Sequence, residues 1–444
     1  MRDRIGPRYR VSRLFAQPVW ACLLACAAVL AAGAHLAPAG WQPTDPPNAP
    51  IGEARGIHPG RVVWVYDPAV AHWDEKTGHW WDDANTDPAG AERMVRHAVC
   101  WLTGERTDAA AWDALFRHFN RAHGRGESGY KPGEKIAVKV NFNSGGCCNS
   151  PQITLALLRQ LVNVAKAAQA DITIFEPGRG MPEFFRRSVL AEFPGLRLEA
   201  EQAGNGVVNS QPDRNVAIRF GDPSIRDSGK CYLPRCLTEA TYLINAAVLK
   251  GHVLAGVTLC AKNHFGSFYR DPGGNRPSEN WRPDNLHRSV TIRSRPMGSY
   301  NGLVDLMGHA HLDGKALLFL VDGLYAGVHQ SVNGPSKWQS APFNGGWTSS
   351  LFVSQDEVAL ESVGLDFIRN EPTIRCVVGS ADNYLHEAAQ ANDPPSKTVY
   401  DPEGDGTPLK SLGVHEHWNN AAEKRYSRNL GAGKGIELIS AEPN

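Results

Sequence analysis

The chain has 444 residues, 46 basic and 46 acidic side chains, and a hydrophobic fraction of 42%. This composition excludes a disordered chain and a protein built from many membrane spans. The balanced charge, without a dense run of Lys and Arg, disfavours nucleic-acid binding and favours a small-molecule partner.

The N-terminus has the pattern of an export signal. Five arginines precede an apolar run from Val19 to Ala34, as in a secretory signal peptide. Residues 1–34 are therefore predicted to be a signal peptide, or a membrane anchor if the segment is retained, because the apolar run is near the lower length limit for a bilayer span. Residues 35–60 are rich in proline and are predicted to be a linker. We expect an exported protein, periplasmic or extracellular, that is membrane-anchored only if the signal is uncleaved.

Seven cysteines follow the signal. Export permits disulfides, and Cys231 and Cys236 form the best candidate pair because the proline between them favours a turn. No C-x-x-C-x-x-C run occurs, which disfavours a ferredoxin-type iron–sulfur cluster. The cofactor is not identified by these patterns, and a divalent metal remains open.

Residues 61–130 are predicted to form an N-terminal extension. Val62–Tyr66 has strand character, and helices are predicted over Glu92–Leu102 and Ala109–Arg121. The loop between the strand and the helices is rich in tryptophan, which either caps a core or offers a platform for glycans or a partner.

The most regular pattern is a β-α-β unit. Strand Ile136–Val140, a helical pattern over Thr154–Ala168 and strand Asp171–Phe175 follow one another. Such units form parallel sheets whose ligands bind beyond the carboxyl ends of the strands. The remaining predicted elements are strands Tyr242–Asn245, Leu317–Val321 and Ile374–Val378, and a helix over Gln355–Ile368. The predicted fold class is α/β, a mainly parallel sheet with helices on both faces, plus the N-terminal α/β extension and long loops.

Lysine, histidine and asparagine recur near the predicted strand ends. Lys139, Asn141 and Asn143 share one face if their strand continues, and an ammonium beside two amides suits a carboxylate or another oxyanion. A lysine in an apolar run also needs a partner if it is buried. The predicted catalytic residues are His252, His264 and Lys262, and the predicted substrate-binding residues are Lys139, Asn141, Asn143, Lys250, Asn263 and Asp322. Asp322 would supply a carboxylate after the strand at Leu317, although Asp-Gly is also an ordinary turn sequence.

Two His-x-His pairs are weak candidates for metal binding. His309 with His311, and His415 with His417, would each share one face of an extended chain. Loop histidines bonded to backbone or water are the preferred interpretation. His386 begins a sequence like a zinc-protease helix, but the second histidine of that motif is missing. The chain also has no phosphate-binding loop, dinucleotide fingerprint or nucleophile elbow.

Several of these segments resemble one known family. Residues 139–141, 250–252, 262–266, 321–323 and 354–360 are similar to the domain of unknown function 362, and the resemblance covers residues 131–380. That family has no settled activity, and the ferredoxin cysteines of some members are missing from this chain. It is distantly similar to the N-terminal domain of nickel-pincer lactate racemase, which implies that such a cleft can serve 2-hydroxy acid chemistry. Residues 381–444 would be a C-terminal extension.

The sequence therefore predicts an exported α/β protein that binds a small anionic molecule in a Lys/His/Asn cleft, with acid/base chemistry by a histidine. Two alternatives remain open. One is a non-catalytic extracytoplasmic binding protein, and the other is a metal-dependent enzyme that uses the His-x-His pairs. Whether the protein is an enzyme, and its oligomeric state, are not decided by the sequence.

Overall fold

The computed structural model describes residues 41–225, 229–270 and 286–441. The predicted signal peptide, residues 1–34, and the first residues of the predicted linker lie outside this range. No helix within it is long and apolar enough to cross a membrane.

The strands follow the apolar runs of the sequence. They are β1 (Ile51–Gly52), β2 (Arg61–Tyr66), β3 (Ile136–Lys139), β4 (Ile172–Glu176), β5 (Arg197–Ala200), β6 (Val207–Asn209), β7 (Pro212–Ile218), β8 (Cys231–Pro234), β9 (Tyr242–His252), β10 (Gly256–Thr258), β11 (Tyr269–Arg270), β12 (Ala316–Gly327), β13 (Ser350–Ser354), β14 (Val414–His415) and β15 (Glu437–Ala441).

Several of the longer helices begin at a residue whose side chain caps the first turn. The α-helices are α1 (Pro88–Thr103), α2 (Asp108–Ala122), α3 (Pro151–Arg159), α4 (Glu183–Glu192), α5 (Arg235–Thr238), α6 (Cys260–Asn263), α7 (Leu286–Ser289), α8 (Gly302–Gly308), α9 (Glu357–Asn370) and α10 (Asn383–Ala389). Helix α1 illustrates this capping: the Asp87 side chain accepts a hydrogen bond from Ala89 N, Pro88 occupies the first turn, and Gly104 follows the helix in a left-handed conformation.

One large sheet organises the fold. Its order is β15-β2-β13-β12-β9-β3-β4-β5-β6, with β10 paired to β9. All neighbouring pairs in this order are parallel except those that include β13, and β10 is antiparallel to β9. Central strands such as β9 are buried along their whole length, as expected where helices cover both faces of a parallel sheet. The predicted α/β class is therefore confirmed.

Alternation along the strands divides the core into two clusters. On β2, Val62 and Trp64 belong to one cluster, whereas Val63 and Val65 belong to the other. Successive side chains of a strand point to opposite faces of a sheet, so each cluster packs one face. The arrangement leaves the carboxyl ends of β3, β4 and β9 side by side, which positions the polar residues that follow them.

The predicted elements are present with modest boundary changes, with one exception. The strand predicted over Ile374–Val378 is wrong, because these residues have no strand conformation. Burial rather than pairing accounts for their apolar character: Cys376 and Val377 lie in the core, and Cys376 Sγ lies 3.4 Å from Gly256 O.

The predicted disulfide is not formed. Among the described residues no disulfide joins any two of the seven cysteines. Cys231 begins β8 and packs in the core, whereas Cys236 lies in α5, where its thiol is close to Glu199 and Ser210. The two side chains therefore face different surroundings.

The described part of the predicted linker, residues 41–60, lies against the folded body. Trp41 Nε1 donates a hydrogen bond to Gly379 O at 2.7 Å, and Arg55 N donates to Asp356 Oδ2 at 2.8 Å. Strand β1 pairs with β14 near the C-terminus, with Ile51 opposite His415. This segment therefore brings its side chains next to those of residues 381–444.

Candidate functional site: a cleft at the strand ends

Two of the predicted lysines are buried under the strand ends and donate hydrogen bonds to protein acceptors. Lys139 Nζ donates to Glu176 Oε2 at 2.9 Å, to Val140 O at 2.7 Å and to Asn263 Oδ1 at 3.1 Å. Lys250 Nζ donates to Asn141 Oδ1 at 2.9 Å and to Cys147 O at 3.0 Å. Burial lowers the pKa of both lysines, and at Lys139 the Glu176 carboxylate opposes that shift.

The asparagines join these lysines into one network. Asn141 Nδ2 donates to Asn263 Oδ1 at 3.0 Å, and Asn263 Nδ2 donates to Asn245 Oδ1 at 2.9 Å. We call this set the lysine–asparagine network; its members are Lys139, Asn141, Glu176, Asn245, Lys250 and Asn263. Its ammonium groups bond to the protein itself, so the structure brings the predicted residues together while using Lys139 and Lys250 to fix the loops.

Beside this network lies a cavity of about 230 Å³, which we call the cleft. Residues after β3, β4 and β9 line it, together with residues from α6 and the turn that follows. Its lining includes Asn143, Glu176, Arg179, His252, Lys262, Phe265 and His287. Glu176 is the carboxylate of this lining, and its Oε2 is already paired with Lys139.

Lys262 is the lysine that faces the cleft. The structure gives its ammonium no hydrogen bond or ion pair with any described residue, and its closest interaction is with the face of the Phe265 ring, 3.3 Å from the ring centre. Burial, and then the charge of Arg179, hold the pKa of Lys262 well below its usual value. The group is therefore poised to gain from a negative charge in the cleft.

His252 presents a defined tautomer. Its Nδ1 accepts hydrogen bonds from Leu254 N at 3.1 Å and Ala255 N at 3.2 Å. Burial, and then Lys262, hold the pKa of the ring well below its usual value. Since Nδ1 is occupied as an acceptor, the single proton of the neutral ring sits on Nε2. His252 is therefore a hydrogen-bond donor in the cleft.

The other predicted residues of this set have different positions. His264 is fully buried; its Nε2 lies 2.7 Å from Asp313 Oδ1 and its Nδ1 lies 2.9 Å from Ser267 Oγ. It is not among the residues that line the cleft. Asp322 Oδ2 accepts from Ser150 N at 2.7 Å and from Ser150 Oγ at 2.8 Å, so it holds the start of α3. Asn143 lines the cleft and accepts a hydrogen bond from Arg179 Nη2 at 2.8 Å.

The two His-x-His pairs differ sharply. His309 Nδ1 accepts from His311 N at 3.1 Å, and burial lowers the pKa of His309 to about 3. In the portion of the chain that the structure describes, this pair joins no group of metal-ligating side chains. His415 and His417 instead lie together with Asp45, Asp382 and His386, a set that we call the histidine cluster.

Some residues that line the cleft or belong to the histidine cluster were not predicted from the sequence. Glu176 and Arg179 could have been found as polar residues directly after the predicted strand Asp171–Phe175. Asp382 is four residues before His386, a spacing that places both on one side of a helix. No sequence pattern indicated a role for Asp45, because it belongs to the segment that was predicted to be a linker.

Comparison with known proteins gives one family. A family model described as "Domain of unknown function (DUF362)" matches residues 136–366, close to the range expected from the sequence. No curated protein matches the chain.

Proposed function

The chain belongs to the DUF362 family, whose description names no activity, and we propose from the geometry of the cleft that it binds a small organic anion. Lys262 carries this proposal, because its buried ammonium lines the cleft without a hydrogen bond to the described residues. An unpaired buried cation is costly, and a bound anion would supply the missing partner. Arg179 adds a second positive charge to the same lining.

The other polar groups of the cleft support a carboxylate ligand with a hydroxyl group. His252 Nε2 is a neutral donor in the same lining and could hydrogen bond to an anionic oxygen. Glu176 Oε1 is buried and has no hydrogen-bond partner among the described atoms, so it could accept a hydrogen bond from a ligand hydroxyl. A cavity of about 230 Å³ suits a molecule smaller than an ordinary drug.

Acid/base chemistry would require His252 to exchange its proton. In the observed arrangement its Nδ1 already accepts two backbone hydrogen bonds, so Nε2 donates and does not accept. The geometry therefore supports binding and polarisation of an anion by His252 more directly than removal of a proton. His264 and Asp313 form a buried pair that lies outside the cleft lining.

The proposal is tested by calorimetric titration of the purified full chain with glycolate, acetate and phosphate. Lys262→Ala should weaken binding of the preferred anion about 10- to 100-fold, because a hydrogen bond to a charged group is lost. Glycolate should bind more tightly than acetate, since only glycolate offers a hydroxyl to Glu176.

Lys410→Ala is the matched control, because Lys410 is exposed and far along the chain from the cleft residues. It should leave every affinity unchanged. Equal affinities for the wild type and Lys262→Ala would refute the proposal. Equal affinities for glycolate and acetate would refute only the hydroxyl contact.

A further inference from the structure

The histidine cluster is assembled from three separate parts of the chain. Asp382 and His386 lie one helical turn apart at the start of α10. His415 ends β14 and His417 follows it, so the two side chains share a face of extended backbone. Asp45 comes from the segment before β1. Two overlapping triads, both containing His415, have ligand atoms within 4.8 Å of one another: Asp45, His386 and His415, and Asp382, His415 and His417.

The polar atoms of the cluster are buried but lack hydrogen-bond partners. Both carboxylate oxygens of Asp382 are in this state, and so are the Nε2 atoms of His415 and His417. His386 Nε2 also makes no hydrogen bond, but it lies in ion-pair contact with Asp45 Oδ2. Asp382, His415 and His417 are each 1% exposed. Buried polar atoms almost always have partners, so the four unpartnered atoms of Asp382, His415 and His417, which together form one of the two triads, indicate a missing group that they contact.

In both His415 and His417, the Nδ1 atom is hydrogen bonded to the protein, which leaves Nε2 as the atom available to a ligand. His415 Nδ1 lies 2.8 Å from Ser362 Oγ, and the Ser362 hydroxyl donates to Val358 O at 2.6 Å. Because the hydroxyl proton is used there, the ring must donate from Nδ1, and Nε2 retains its lone pair.

His417 is oriented in the same way. Its Nδ1 lies 2.7 Å from Asp366 Oδ1, a carboxylate that also accepts from Trp418 N and the Tyr426 hydroxyl. A carboxylate or hydroxyl behind a histidine is the usual support of a metal-binding imidazole. The support is present at both positions of the His-x-His pair.

The separations of the donor atoms fit a single small cation. His417 Nε2 lies 3.6 Å from Asp382 Oδ2, and His386 Nε2 lies 3.9 Å from the same oxygen. Ligands about 2.0–2.2 Å from one tetrahedral ion are roughly 3.4 Å apart. The third donor of this triad, on His415, also lies within 4.8 Å of the other two. These separations are wider than in an occupied site, and small side-chain shifts would bring the three donors to one ion.

We propose that the histidine cluster is a binding site for a divalent transition-metal ion, held by Nε2 of His415 and His417 and by the Asp382 carboxylate, with His386 beside them as a further candidate ligand. Imidazole with carboxylate favours ions such as Zn²⁺ or Fe²⁺ over Ca²⁺ and Mg²⁺, which prefer oxygen ligands alone. Asp45 Oδ2 lies 2.9 Å from His386 Nε2 and its side chain is 33% exposed, so Asp45 covers the open side. A cavity of about 370 Å³, lined by Asp45 and His417 among others, adjoins this side and gives access to the ion.

The site is tested with the full chain after dialysis against EDTA, titrated with Zn²⁺ in competition with a chromophoric chelator. The wild type should bind one Zn²⁺ per chain, and Co²⁺ should give visible absorption bands of a four- or five-coordinate imidazole site. His415→Ala and Asp382→Asn should each weaken Zn²⁺ binding more than about 100-fold. Ser362→Ala, which removes only the support of His415, should weaken it about 10-fold.

His311→Ala is the matched control, because it alters the other His-x-His pair and should leave the Zn²⁺ affinity within about threefold of the wild type. Wild-type protein that binds neither Zn²⁺ nor Co²⁺ would overturn the proposal whatever the variants do. Equal losses in His311→Ala and His415→Ala would also overturn it, since they would indicate scattered surface binding. Circular dichroism of each variant identifies any loss that comes from unfolding.

Discussion

The cleft and the histidine cluster are both buried and polar, but the charge that lacks a protein partner differs between them. In the cleft, Lys262 is a cationic donor without a hydrogen bond to the described residues. Glu176 Oε1 is also unpaired there, but the charge of this carboxylate is already balanced by Lys139. In the histidine cluster the unpaired atoms are the acceptors of Asp382 and the Nε2 atoms of His415 and His417. Unpaired donors call for an anion and unpaired acceptors call for a cation. This difference is the basis for proposing an anion at the cleft and a metal cation at the histidine cluster.

A second contrast lies within the lysines themselves. The ammonium groups of Lys139 and Lys250 donate hydrogen bonds to protein acceptors, whereas that of Lys262 donates to no described residue. All three are buried, so burial alone does not distinguish a structural lysine from a ligand-binding one. The two kinds of lysine differ in whether the ammonium group has a carboxylate or carbonyl oxygen as a hydrogen-bond partner.

Lys139→Met should destabilise the protein by about 3–5 kcal/mol, because it leaves the Glu176 carboxylate buried without its ammonium partner. Urea unfolding followed by circular dichroism measures the change. Lys410→Met, at an exposed position, should change the free energy of unfolding by less than about 0.5 kcal/mol. A loss below about 1 kcal/mol in Lys139→Met would mean that Glu176 finds another partner.

Metal loading should stabilise the folded chain. At a free Zn²⁺ concentration 100 times the dissociation constant, the free energy of unfolding should rise by about 2.7 kcal/mol relative to EDTA. The comparison uses urea unfolding of one preparation with and without chelator. His415→Ala should abolish the difference, and a difference that persists in this variant would place the Zn²⁺ elsewhere.

Anion affinity should fall as the pH rises. The anion needs the charged form of Lys262, whose pKa lies well below its usual value in the free protein. As the pH increases through that pKa, the affinity should decrease by up to about tenfold per unit. Titrations from pH 6 to 10 test this, and an affinity that is independent of pH over the whole range would exclude Lys262 as the binding group.

Lys262→Met should raise the free energy of unfolding at pH 7 by about 1 kcal/mol, because it removes an unpaired buried amine. A lysine whose pKa is lowered by folding binds fewer protons in the folded state, so its cost is largest at low pH and disappears as the pH approaches 10.4. The gain in Lys262→Met should therefore shrink between pH 7 and pH 10 in urea unfolding. A clear destabilisation at pH 7 would show that Lys262 is structural.

The predicted positions of the strand ends indicated which polar residues would lie close together. They did not indicate which of these residues would form hydrogen bonds with one another. The Lys139, Lys250 and Lys262 segments could be placed together because parallel strands end at one edge of the sheet. The partner that saturates Lys139 is Glu176, at the end of the next strand, and the contact depends on register and on side-chain packing. The spacing of residues in the sequence does not predict that contact. The sequence alone therefore could not distinguish the paired lysines, Lys139 and Lys250, from Lys262.

Only part of the histidine cluster could be predicted from the sequence. The His415–His417 spacing is a local signal, and it is the same spacing as His309–His311, which joins no metal-ligating group in the described parts of the chain. The difference comes from residues far away in sequence: Asp366 and Ser362 behind the rings, and Asp45 from the N-terminal segment. The same kind of long-range context made the Ile374–Val378 segment a buried loop and separated the surroundings of Cys231 and Cys236.

The most direct test of opposite charge preference measures both ligands on the same two variants. Phosphate or glycolate affinity and Zn²⁺ affinity are determined by titration for the wild type, Lys262→Ala and His415→Ala. We expect Lys262→Ala to lose anion binding and keep Zn²⁺ binding, and His415→Ala to do the reverse. If either variant lost both ligands while remaining folded, or kept both, the separation of an anion cleft from a cation cluster would be contradicted.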